Sequence, residues 1–189
     1  MGKLALVFGA AAAACLLAAG TAVSDPVFAG QCGIRAQQTV WGEYGWPTLL
    51  PIFGKPGITL AVSSGDYPAQ VHATGAGSYY FDLSMKKKTG IPTAPTDPST
   101  IAAKAETEYQ YAAGVTGCQT PVIAENELFA AATATPWTPS NAQYRANVLL
   151  LLQDLAAKGA HPVLLVNSTP FTSGDALAWW LAAHLTSEL

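Results

Sequence analysis

The feature that most constrains this chain is an alternation. Five times in succession a short run of aliphatic, β-branched or aromatic residues gives way to a segment of helical character. The runs lie near residues 38–41, 57–62, 78–83, 121–124 and 162–167. The second, Gly57-Ile58-Thr59-Leu60-Ala61-Val62, is continuous in apolar residues, as a strand buried on both faces should be. Segments 49–53 and 67–74 read as short helical returns. The third helix is better marked. Asp97 is placed as an N-cap and Pro98 at the first helical position. Ile101, Ala105, Tyr109, Ala112 and Ala113 then recur at helical spacing, and Gly114 and Gly117 end it. Ser140 and Gln143 form a capping-box pattern ahead of Tyr144, Val148, Leu149, Leu152 and Leu155, with Gly159 as the stop. Ser173 caps a last helix running from Asp175 to about Ser187. Strand followed by helix, repeated, predicts a parallel sheet with right-handed crossovers.

Two parallel architectures fit. An open, doubly wound five-stranded sheet is complete as it stands. A (β/α)8 barrel needs ~250 residues, and five units of eight leave it open, with two strand edges exposed. Packing alone favours the open sheet.

Length matters because the 189 residues include a distinct leader. Lys3 precedes an apolar run from Leu4 to Ala19, followed by small residues up to Ala29. This is the pattern of a secretory signal peptide over residues 1–29, too short to favour a full bilayer span of ~20 residues. Residues 30–189 then form one α/β domain, about 160 residues and enough for a sizeable core. The expected location is secreted or in the cell envelope, with no stable membrane span after cleavage. In an oxidising compartment, Cys32 and Cys118 are a candidate disulfide, because each lies a few residues before an expected strand.

Net charge is −3 and charged residues are sparse, with one basic cluster, Lys86-Lys87-Lys88. That cluster reads as a solvated loop after the third strand. No nucleic-acid surface is expected, since that needs Lys and Arg gathered on one face. No G-x-G-x-x-G, P-loop or G-x-S-x-G motif is present, so no dinucleotide, nucleotide or hydrolase elbow is expected. No CxxC or His/Cys spacing reads as zinc, and neither metal nor cofactor is expected. His72, His161 and His184 fall away from the strand tops and read as structural or exposed.

The sharpest functional signal is the stretch QTPVIAENELFA, residues 119–130. It places Glu125, Asn126 and Glu127 at the C-terminal end of the fourth strand, where loops form the crevice of α/β proteins. Glu127 is the first candidate for a general acid/base and Glu43 the second carboxylate. Glycoside hydrolysis needs two carboxyl groups, one with a raised pKa. Trp41, Tyr44 and Trp46, in the loop after the first strand, offer faces on which sugar rings can stack, and Trp137 does so later. Asp82 and Asn167 end the third and fifth strands and are candidate hydroxyl-binding groups. Glu125 and Glu127 alternate along an extended chain and would share a face, with Asn126 on the other.

The stretch Pro121 to Phe129, with Asn126-Glu127 ending the fourth strand, resembles the (β/α)8 glycoside hydrolases, and the whole chain looks like exported actinobacterial barrel proteins. The resemblance implies a partial (β/α)8 barrel with five parallel strands in sequential order, truncated after about five units. It implies carbohydrate as substrate or ligand, Glu127 as acid/base and Asn126 bound to a sugar hydroxyl or orienting the acid. One departure stands out. The family's nucleophile is a Glu ending strand seven, and no such strand is present, so the truncated form is expected to be inactive. The alternative from another class is a non-catalytic glycan-binding domain of the cell envelope.

Overall fold

The computed structural model describes residues 32, 39–44, 50–62, 68–126, 139–165 and 173–186. The expected signal peptide lies outside them. In chain order the elements are β1 (Thr39–Tyr44), α1 (Leu50–Phe53), β2 (Ile58–Val62), α2 (Pro68–Ala73), β3 (Gly77–Asp82), α3 (Lys86–Thr89), β4 (Gly90–Ile91), β5 (Ala94–Pro95), α4 (Ile101–Thr116), β6 (Val122–Glu125), α5 (Ala142–Ala157), β7 (His161–Leu164) and α6 (Gly174–Thr186). The protein is α/β, as the alternation predicts. The main sheet is parallel throughout, with neighbours in the order β1-β2-β3-β6-β7. A small antiparallel pair, β4-β5, was not foreseen.

The strand period of two separates the residues cleanly into faces. Val62, Tyr80, Ile123 and Leu164 pack against Ile101, Ala105, Ala112 and Val115 of α4 and against Val148, Leu151, Leu152 and Leu155 of α5. Leu60 joins Val71 and Ala76 beneath α1 and α2. On the opposite face Ala61, Tyr79, Val122 and Ala124 form a second apolar layer. Both faces of the central strands are buried, which explains why their sequences read as continuous rather than alternating.

Helix boundaries follow local chemistry, with some changes from expectation. Asp97 caps a 3-10 turn at Pro98–Thr100, its carboxylate accepting from the Ser99 amide at 2.9 Å, and α4 proper begins at Ile101. Gly114 does not interrupt α4; Gly117, with φ of 69°, is the left-handed residue that stops it. Asn141 is the residue before α5, and Gln143 donates to Asn147 within the helix at 2.9 Å. Asn147 is fully buried and donates to the carbonyls of Thr89 (3.0 Å) and Thr96 (2.7 Å), tying the β4-β5 pair to α5.

The Cys32–Cys118 disulfide is present, with Cα atoms 5.6 Å apart. Cys32 pairs as an isolated parallel bridge with Ser78, so the bond ties the chain ahead of β1 to the start of β3 and the turn before β6. Among the described residues no helix is long and apolar enough to cross a membrane.

Candidate functional site

Asp82 ends β3 and Glu125 ends β6. The two are register partners, so their side chains leave the sheet on one face. That face is the one covered by helices. Across it α4 presents Glu108, 3 % exposed, from within its apolar stripe. Asp82 is 1 % exposed and Glu125 0 %. Oxygens of all three carboxyls lie within 4.8 Å of one another. Lys88, from the turn α3, reaches into the group. Its ammonium lies 2.6 Å from Asp82 Oδ2 and also pairs with Glu108 Oε1. Lys104 of α4 donates to the carbonyls of Lys87 and Lys88 and holds that turn in place.

The charge balance is unequal, because three carboxyls face one ammonium. Burial pushes the Glu125 carboxyl well above its ordinary range; the Glu108 charge adds to this and Lys88 opposes it. Burial likewise pushes Glu108 up to about 7, against the pull of Lys88 and with the help of Asp82. For Lys88, burial works against the charge, but Glu125, Glu108 and Asp82 outweigh it and hold the ammonium above its ordinary value. Burial, then Asp82, Glu108 and Glu125, push up the Tyr80 hydroxyl beside them. Among the described residues neither oxygen of Glu125 has a hydrogen-bond partner, and Glu108 Oε2 has none.

The cluster floors a cavity of about 460 Å³ between β3, α3 and α4. Asp82, Lys88 and Glu108 line it together with Lys104, and Tyr80 and Tyr111 meet edge to face there, with centroids 5.5 Å apart. Glu125 lies behind this lining and does not reach the cavity.

Two sequence expectations change here. Lys86 to Lys88 are not a solvated loop: they form a helical turn, and Lys88 is drawn inward by the carboxylates. Asp82 serves the loop as well, accepting from the Ser84 amide at 3.1 Å. Glu43 and Tyr44, expected in a loop, belong to β1, whose pairing with β2 shifts register between Trp41 and Tyr44. Asn126 follows β6 directly, half-buried, and donates its amide to the Asp82 carbonyl at 3.2 Å. Glu127, Trp46, Trp137 and Asn167 lie outside the described residues.

Sequence reasoning missed Glu108 and Lys88 as partners. For Glu108 a signal existed. Ile101, Ala105, Ala112 and Val115 mark the buried stripe of α4, and Glu108 occupies the position in its middle where Tyr109 was expected. Comparison of the chain with protein-family models, with curated proteins and with solved structures finds no match.

Proposed function

We propose that this is an exported, glycoside hydrolase-like barrel protein that acts on or binds carbohydrate, with Glu127 as the general acid/base. The observation that carries the reading is the location of Asn126. It stands immediately beyond the C-terminal end of β6, the fourth strand of the parallel sheet, with its backbone tied to the end of β3. Chemistry in parallel α/β sheets gathers at that end of the strands. The strand order supports a barrel over a doubly wound sheet. A doubly wound sheet places its first strand between later ones, whereas β1 has β2 as its single partner among the described residues. Glu125 takes no direct part in the proposed reaction. It faces the helices and pairs in register with Asp82 at the strand ends, directly before Asn126.

In this scheme Glu127 protonates the departing glycosidic oxygen and Glu43 is the second carboxylate. The Cys32–Cys118 disulfide supports the exported location, since such bonds persist in oxidising compartments. The test is a Glu127→Gln variant of the protein in its full natural length, assayed on a panel of polysaccharides and oligosaccharides. Hydrolysis is expected to fall by at least about 10²-fold, the scale of a lost proton donor, with glycan binding retained. Hydrolysis undiminished by the substitution would overturn the assignment. Binding without turnover in the parent protein would assign a glycan-binding module instead.

A further inference from the structure

We propose that Asp82, Glu108 and Glu125 form a binding site for a hard divalent cation, seated between the ends of β3 and β6 and the middle of α4. The inference is independent of the glycan reading, because these carboxyls lie on the helix-covered face of the sheet.

Three observations lead to it. The first is geometry. Hard cations such as Ca²⁺ take carboxylate oxygens at about 2.3–2.6 Å, so oxygens on opposite sides of one ion stand roughly 4.8 Å apart. The three carboxyls each offer an oxygen within 4.8 Å of the others. They come from three different elements, β3, β6 and α4, so no local turn explains their meeting. The second is Glu125 itself. Asp82 and Glu108 already share Lys88, yet Glu125 is fully buried and aimed into the same space, and its oxygens face the Asp82 and Glu108 carboxyls with no N–H donor among the described residues. A buried carboxylate without a donor costs several kcal/mol, a cost that either a proton or a coordinated ion removes. The third is charge. With all three carboxyls ionised, one ammonium leaves two negative charges, which a single divalent ion would balance.

A route in is present. Asp82, Glu108 and Lys88 all line the 460 Å³ cavity, and the Lys88 side chain is 14 % exposed. The ion would pass Lys88 to reach Glu125, leaving the ammonium at the cavity edge as a donor to Asp82. An all-oxygen donor set suits Ca²⁺ or Mg²⁺ and disfavours thiophilic metals. The sequence gives no warning of such a site, because its ligands stand 26 and 17 residues apart in no known spacing pattern.

The experiment uses the full chain, stripped with a chelator, desalted at a pH above neutral, and titrated calorimetrically with Ca²⁺ alone and with Mg²⁺ alone. One ion per chain and a rise in Tm are expected with at least one of them. Glu125→Gln and Glu108→Gln, each preserving shape, are expected to weaken binding by more than about 100-fold, beyond the roughly 10–100-fold that losing an outer partner of a ligand costs. Glu106→Gln is the control. Glu106 lies on the exposed side of α4, paired with Lys158, and its loss should leave binding unchanged. Metal content of the unstripped wild-type protein gives a readout that no variant's folding affects. No heat and no Tm shift with either ion would overturn the proposal, as would binding that survives both ligand substitutions.

Discussion

Lys88 carries more of the fold than its neighbours in the lysine run. Its ammonium pairs with both Asp82 and Glu108, whereas Lys86 and Lys87 are exposed. Removing one member of a buried ion pair leaves the others uncompensated, at a cost of about 3 kcal/mol or more. Lys88→Met should therefore lower the free energy of urea unfolding by about 3 kcal/mol when measured in chelator, whereas Lys87→Met should change it by no more than a few tenths. Nothing in the triplet Lys86-Lys87-Lys88 distinguishes its third member, because what singles it out is the arrival of α4 and the strand ends. Glu108 is the contrasting case. It differs from Glu106 by two positions, which on a helix is more than half a turn, and that places one carboxylate in the core and the other against Lys158 at the surface. The spacing of Ile101, Ala105, Ala112 and Val115 made this legible in the sequence; the partner that Glu108 meets was not.

At the scale of elements, β3 is the strand on which most packing converges. Its start is fixed from α2, where His72 Nε2 lies 3.0 Å from Ser78 Oγ, and Ser78 Oγ donates to the Thr116 carbonyl at the end of α4. Burial holds the His72 pKa below its ordinary 6.5. Below pH 6.5 the unfolded chain then binds more protons at this position than the folded one does. The stability contributed by the neutral ring is full above pH 6.5 and is lost as the pH falls through the folded pKa. A His72→Gln variant should lose less Tm than the wild type between about pH 6.5 and pH 5. Equal acid slopes in the two proteins would show that the ring charges without penalty. Helices α4 and α5 were readable as elements because their apolar spacing runs over four turns. The β4-β5 pair was not, since two-residue strands carry no periodic signal and Asn147, which holds them, is fifty residues away.

For the whole molecule, the disulfide closes a segment of 86 residues that contains β1, β2, β3 and α4. In the chain-entropy account a loop of that size contributes about 4.5 kcal/mol by restricting the unfolded chain. A Cys32→Ser, Cys118→Ser double variant is expected to unfold about 10 °C or more below the parent in calorimetry. No difference between the two would mean that the packed sheet alone restrains this segment. The pairing was readable because two cysteines lie beyond the apolar N-terminal run and each precedes a strand. By itself, the sequence determined the α/β class, the parallel sheet and its main strands and long helices, since these follow from local spacing of apolar residues and from caps within a few positions. The tertiary structure alone decided which face each strand residue takes at the sheet's end. It turned Glu125 and Asp82 toward α4 and brought Glu108 and Lys88 to meet them. Pairing of that kind depends on register between strands far apart in the chain, and no local pattern of residues encodes it.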